Sequence, residues 1–416
     1  MSHINTSEEM PLHSKLATIF VVGLGMSLLT TVALTNIMVL LLLMTAPWAW
    51  AEFRRQNHLY EDVKVFFALI ALFCTWDVIT NLIAGHGIFE SLKDLLHNMR
   101  TIGFILVLWP VFANVKVSRV ALWAILISVV VLAGANLLLT VVGIVPPGRY
   151  FWPTAPHLYG QILVGLFFVL AQIILVRPEL ALRAGAPMAI LVLSLFFASE
   201  RRTGYLQLVA GFVVWVLINY KRLWVGKYRW LFAGVALASL LLAFGSDVVS
   251  RRMWQIWEEL QLFLSQSETE RVTKFTSVGI RLQFYISIWD LIVHSNWWVG
   301  VGSLSFPDMF FAVNEKFGAT DRLAFTNPHN EYLYILATKG LVGLVLYLSI
   351  FVQACRMAWS KTDEVQRVGL VVFVFLFLLS ITTNSMMIDM EEGHFTMLIL
   401  LIFLAPRKLS FVAEKN

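Results

Sequence analysis

Apolar runs of membrane-spanning length recur along this chain, and their recurrence restricts its fold more than any single motif. A helix needs about 20 predominantly apolar residues to cross the hydrocarbon core of a bilayer. The runs fall near 16–50, read as two spans broken between Thr30 and Thr35, and near 63–84, 101–114, 119–142, 158–176, 184–199, 203–220, 229–246, 333–355, 367–383 and 394–405. That pattern predicts an all-α integral membrane protein with about 12 transmembrane helices. Of the 416 residues 59% are hydrophobic and 14% charged, with mean hydropathy +0.76; soluble domains have roughly 45–50% and 25%. A soluble globular enzyme is thereby excluded. The net charge of +5 does not indicate nucleic acid, because the basic residues are scattered between apolar runs and form no patch with interleaved aromatics. Cys74 and Cys355 are the only cysteines, one inside an apolar run and one at the end of another. A disulfide framework, a thiolate metal site and redox chemistry are therefore not expected.

Orientation follows from the bias of Lys and Arg toward cytoplasmic loops. With the N-terminus inside, the inner segments hold 18 of the 31 basic residues, among them Arg54, Arg55, Lys116, Arg119, Lys221, Arg222, Lys361 and Arg407. The short outer loops hold five: Lys93, Arg100, Arg149, Arg201 and Arg202. The expected order is spans 1 to 9 over 1–246, a long, partly helical outer loop over 247–330 between spans 9 and 10, and spans 10 to 12 with an inner C-terminus over 331–416. The long segment carries seven basic and nine acidic residues, so it is no polybasic lipid anchor. Trp254, Trp257, Leu260 and Leu264 stand at helical spacing within it, as in an interfacial or a packing helix.

No nucleotide, zinc or nucleophile-elbow signature occurs, so the energy for any reaction has to arrive with the substrate. Three constellations on the outer side can carry chemistry. In Ser199-Glu200-Arg201-Arg202-Thr203-Gly204, Glu200 neutralises one guanidinium and leaves the other at the head of a span. A guanidinium fork there, with the positive end of the helix dipole, suits phosphate oxygens; snorkelling to lipid headgroups is the competing reading. In Gly279-Ile280-Arg281-Leu282, Arg281 opens an amphipathic helix carrying Tyr285, Ile288, Trp289 and Ile292. Trp297-Trp298-Val299-Gly300-Val301-Gly302 follows, its glycines marking a tight turn with close backbone approach. An arginine in such a loop is also simply solvated. In Asn327-Pro328-His329-Asn330-Glu331-Tyr332-Leu333, followed by Lys339-Gly340-Leu341-Val342-Gly343, the proline fixes a helix start near His329. The imidazole can take a proton from a hydroxyl, hold a polar ligand or be structural. Asp77, mid-span, and Asp389, in the last outer loop, orient a sugar hydroxyl or His329 on one reading; on the other, Asp77 bonds a neighbouring helix and Asp389 is solvated. The remaining histidines show no metal-ligand spacing, so no metal site is expected.

These motifs, Ser-x-Arg-Arg-Thr-Gly, Arg-Leu-x-x-Tyr with Gly-x-Gly downstream, and His-Asn-x-Tyr-Leu ending in Gly-x-x-Gly, together with the long loop between spans 9 and 10, resemble the O-antigen ligase and polymerase superfamily. The chain differs in carrying Trp297 and Trp298 where relatives often have a proline before Gly-x-Gly. The resemblance implies a GT-C-like, metal-independent, inverting glycosyltransferase of the bacterial inner membrane, with a periplasmic active site and no cofactor. Its donor would be an oligosaccharide on undecaprenyl diphosphate and its acceptor lipid A-core oligosaccharide, as in lipopolysaccharide biosynthesis. Arg202 and Arg281 match the family arginines and His329 the family histidine, which makes these three the expected catalytic set. Arg201, Asn330, Tyr332 and Asp389 complete the candidate substrate-binding set. An Arg-x10-Gly pattern associated with the polymerase occurs once, from Arg149 to Gly160, and does not repeat from Arg281, which favours ligase over polymerase. Protein O-oligosaccharyltransferase ranks third. From another class, a transporter or flippase of lipid-linked sugar would bind the diphosphate only in passing, but the candidate polar groups gather on one side of the membrane rather than at its midplane.

Overall fold

The structure, a computed structural model, describes residues 11–27, 30–56, 61–98, 102–146, 156–199, 202–225, 247–267, 270–271, 276–317, 319, 327–385, 390–406 and 409. It is all-helical over those residues. In chain order the α-helices are α1 (Leu12–Ser27), α2 (Val32–Gln56), α3 (Glu61–Ile83), α4 (Ile88–Asn98), α5 (Gly103–Ala113), α6 (Val115–Val141), α7 (Pro156–Val176) and α8 (Ala181–Leu193). Then come α9 (Arg202–Val225), α10 (Asp247–Ser265), α11 (Ser277–Val293), α12 (Phe306–Glu315), α13 (Glu331–Trp359), α14 (Glu364–Ser380) and α15 (Met390–Leu404). A π-helical turn, Ser194–Ser199, extends α8 toward α9.

Among the described residues six helices are long and apolar enough to cross a membrane: Ala33–Arg55, Glu61–Ile83, Val115–Val141, Pro178–Ser199, Thr203–Leu223 and Glu331–Trp359. Leu12–Ser27, Gly103–Ala113, Gly160–Val176 and Gly393–Leu404 are apolar but shorter. The expected span at 229–246 lies outside the described residues. The chain break expected between Thr30 and Thr35 falls a few residues earlier, between Ser27 and Val32.

Polar contacts register the helices. His13 at the start of α1 pairs with Glu52 near the end of α2 at 2.8 Å, which sets those ends side by side. Arg222, late in α9, pairs with Glu364 at the start of α14. Eleven residues back along α9, a Cβ placed on Gly211 would stand 2.9 Å from Leu376, far along α14. The two helices are therefore antiparallel, and the head of α9 lies level with the end of α14. Between α7 and α9, Gln172 Oε1 accepts from Trp215 Nε1 (2.8 Å) and Asn219 Nδ2 (3.0 Å). This closed amide network satisfies polar groups where no water can.

The longest helix, α13, is broken. Gly340 has φ +64° and ψ −170°, a conformation open essentially to glycine alone. Breaking a helix frees backbone groups that must be paired, and the turn at Gly300 and Gly302 pairs them. Val301 N donates to Ala337 O (2.8 Å), Gly302 N to Thr338 O (2.9 Å), and Leu341 N to Trp297 O (2.8 Å). Trp76 Nε1, from α3, takes Lys339 O at 2.8 Å. Backbones meet so closely that a Cβ on Gly300 would stand 2.5 Å from Ala337 O. The close approach expected of the paired glycines is present, and its partner is the other glycine motif.

Candidate functional site

The site lies at the end of the bundle where α14 finishes and α9 and α13 begin. Arg202 is the first residue of α9, as expected of a residue heading its span, and the helix follows the π-turn so closely that a Cβ on Gly204 would meet Leu195 Cδ1 at 2.7 Å. The first turn of a helix presents N–H groups without intrahelical partners and the positive end of its dipole. Glu200 and Arg201 and the side chain of Arg202 lie outside the described residues, as does Asp389.

Arg281 does not open its helix. α11 starts four residues earlier because Thr276 caps it, its Oγ1 accepting from Gly279 N at 3.0 Å, while Glu259 of α10 accepts from Val278 N at 2.8 Å. Arg281 therefore sits on the second turn, where Nη1 donates to Ser277 Oγ at 3.1 Å. One turn on, Phe284 is fully buried and stacks on the His329 imidazole, with centroids 6.1 Å apart and 12° between planes. Tyr285 Oη donates to Thr382 O (2.8 Å) and lies 3.3 Å from His329 O. Arg281, Phe284 and Tyr285 thus form one wall around His329.

His329 is the sole non-glycine residue with positive φ among the described residues, at +51°. Asn327 Oδ1 accepts its N–H at 2.9 Å, an Asx turn that supports the left-handed backbone. The following helix starts two residues later, at Glu331, with Asn330 as its cap: Oδ1 accepts from Leu333 N and Nδ2 donates to Thr382 O, both at 3.0 Å. Burial, with a smaller contribution from the charge of Arg281, lowers the His329 pKa from its ordinary 6.5 to about 4. The ring is consequently neutral at pH 7, with an acceptor nitrogen. Burial raises the Tyr285 pKa above its ordinary value, so its hydroxyl stays a donor.

Tyr332, placed by sequence in the substrate-binding set, donates its hydroxyl to Leu378 O at 2.8 Å and so ties α13 to α14. Asp77 is bound to a neighbouring helix: it forms an ion pair with Lys339 and accepts from Ser303 Oγ at 3.2 Å. Ser303 and Asn81 link that pair to Asp94 of α4. A Lys and an Asp deep in two apolar spans point to an intramembrane pair; the sequence shows Lys339 inside a span without naming Asp77 as its partner. Tyr285 is legible in the sequence as part of an amphipathic helix and as the tyrosine of Arg-Leu-x-x-Tyr, whereas nothing there singles out Phe284. Among the described residues no three His, Cys, Asp or Glu side chains gather as a metal ligand set.

Fold and site together define a helical, multi-pass membrane protein in which His329, just before α13, packs on α11, the helix that carries Arg281, at the bundle end where α9 begins. Within it, residues 187–348 match the family described as O-antigen ligase, so a domain of that family is identified over this part of the chain. The matched stretch holds Arg202, Arg281, His329 and both glycine motifs. No curated protein sequence matches the chain.

Proposed function

We propose that this protein is an O-antigen ligase: a metal-independent, inverting glycosyltransferase that moves O-antigen polysaccharide from undecaprenyl diphosphate to lipid A-core oligosaccharide. In this reading the chain has twelve spans in a GT-C-like arrangement, with both termini cytoplasmic and the site on the periplasmic face of the inner membrane. The carrying observation is the Arg281 to His329 relationship, a guanidinium acting on a neutral, half-buried imidazole at the same bundle end as the head of α9.

The chemistry follows from charge. The acceptor hydroxyl oxygen bonds to the anomeric carbon as the bond from that carbon to the phosphate oxygen breaks, and the electron pair leaves with the diphosphate. Negative charge grows on the leaving group, so Arg202 and Arg281 stabilise the transition state more than the ground state. His329 takes the hydroxyl proton. On its own Arg281 keeps that imidazole weakly basic; a diphosphate paired with Arg281 offsets the positive field and makes His329 a better base when donor is bound. Arg201, Asn330, Tyr332 and Asp389 assist in holding the substrates.

The test is a reaction of purified protein with lipid-linked donor and lipid A-core, without nucleotide or ion gradient. Joined product is expected. Binding of donor without product would leave the transporter reading, and product only with a second lipid-linked repeat or a protein acceptor would make the chain a polymerase or a protein O-oligosaccharyltransferase.

A further inference from the structure

Gln161, on α7, is 1% exposed, and neither its Oε1 nor its Nε2 has a hydrogen-bond partner among the described residues. A buried amide left in this state in a membrane-spanning bundle calls for an explanation. Its place on the helix supplies one. Residues 7 and 11 positions apart on a helix share a face, and on the face of Gln161 stand Phe168 and Gln172. Both are against α9: Phe168 crowds Gly211, and Gln172 bonds Trp215 and Asn219. At the other end of the same stripe, Gly160 Cα lies 3.7 Å from where a Gly204 Cβ would be. The two helices run parallel, and Gln161 is one residue inward of the level of Gly204. Arg202 is two residues outward of it. The axial offset between them is about 4.5 Å at 1.5 Å per residue, the scale of a diphosphate group.

We infer that Gln161 is a donor-binding residue: its Nε2–H donates to an oxygen of the phosphate on the lipid side of the diphosphate, inward of the head of α9. A neutral carboxamide suits that depth, because it supplies a donor to an anion without placing a further charge in the hydrocarbon. Gln172, three turns further in on the same face, is spent on Trp215 and Asn219, so the stripe changes from a closed amide network to an open donor where it meets the head of α9. The assignment rests on the proposed use of a lipid-linked diphosphate, but it is tested by binding rather than by transfer.

The experiment measures affinity of the full-length protein in phosphatidylcholine nanodiscs for undecaprenyl diphosphate and, separately, for phosphatidylglycerol. Gln161→Met keeps the side chain's length and removes its donor. It should weaken undecaprenyl diphosphate binding about ten- to hundredfold, the range for losing a hydrogen bond to a charged group, leave phosphatidylglycerol binding unchanged, and leave the melting temperature of the unliganded protein equal or higher. Gln161→Glu should weaken the diphosphate further by repulsion. Wild-type affinity in Gln161→Met overturns the inference, as does a loss confined to phosphatidylglycerol or a fall in melting temperature with a matching loss of every function. Gln161-dependent binding without transfer in the complete reaction would refute the ligase and support this site. Transfer with unchanged donor binding in Gln161→Met would do the reverse.

Discussion

Lys339 and Asp77, 262 residues apart in sequence, form a buried ion pair that ties the broken helix α13 to the middle of α3. The lysine is the last residue before the Gly340 break, and its own carbonyl is held by Trp76, the neighbour of Asp77. Two spans are thus fixed to each other through both the side chain and the backbone of one residue.

Removing one partner of a buried pair leaves the other charge uncompensated. Lys339→Met should therefore destabilise the protein by about 3–5 kcal/mol, read as a lowered melting temperature in detergent. The double variant Lys339→Met with Asp77→Leu should recover most of that loss. A double variant no more stable than the single one would show that the pair is not the source.

At Gly340 an alanine Cβ would stand 2.2 Å from the carbonyl carbon of Trp298, in a backbone region that costs an L-residue of order 1–3 kcal/mol even without a clash. Gly340→Ala should lose folded protein. Gly185→Ala, whose Cβ would meet nothing within 4 Å, is the control and should leave the yield of folded protein unchanged in size-exclusion chromatography.

His329→Ala should abolish transfer while leaving donor binding and melting temperature near wild type, measured on the same purified preparations. The pH dependence has a defined sign. With a folded-state pKa of about 4 against an ordinary 6.5, the unfolded chain binds a proton between those values and the folded chain does not. Stability should then rise with pH through that window and fall as pH drops through it. His329→Gln should flatten this part of the profile.

Arg281→Gln removes a charge that disfavours the imidazolium. The His329 pKa should move up from about 4 toward 6.5 without reaching it, since burial, the larger cause, remains. A histidine resonance titrated by NMR reads this directly. Donor KM should rise in the same variant. An unmoved resonance would show that the guanidinium does not act on the ring.

Much of this was legible in the amino-acid order. Apolar runs located the long helices because bilayer thickness sets a length that a hydropathy pattern displays, and the Asn-Pro-His sequence announced the start of α13 to within two residues. Pairing was not legible. Nothing local to Lys339 points to α3, 262 residues away, and nothing in Gly-x-Gly or Gly-x-x-Gly says that each motif is the other's partner; such contacts exist only once the intervening chain has closed. Arg281 was placed at a helix start because the apolar face begins there, whereas the cap at Thr276 and the carboxylate of Glu259 carry the helix back one turn. That the Tyr332 hydroxyl donates to Leu378 O of α14 is likewise a tertiary contact that the sequence does not display.

The discontinuity in α13 divides labour along one rod. The nine residues from Glu331 to Lys339 carry the ion pair with Asp77 and two of the backbone bonds to the loop at Gly300, while the stretch beyond Gly340 packs along α3, with Tyr347 against Phe73 and Gln353 Nε2 donating to Asp62 O. Because α3 runs alongside both parts, it splints the break, and the two parts keep one line although the backbone between them is not helical.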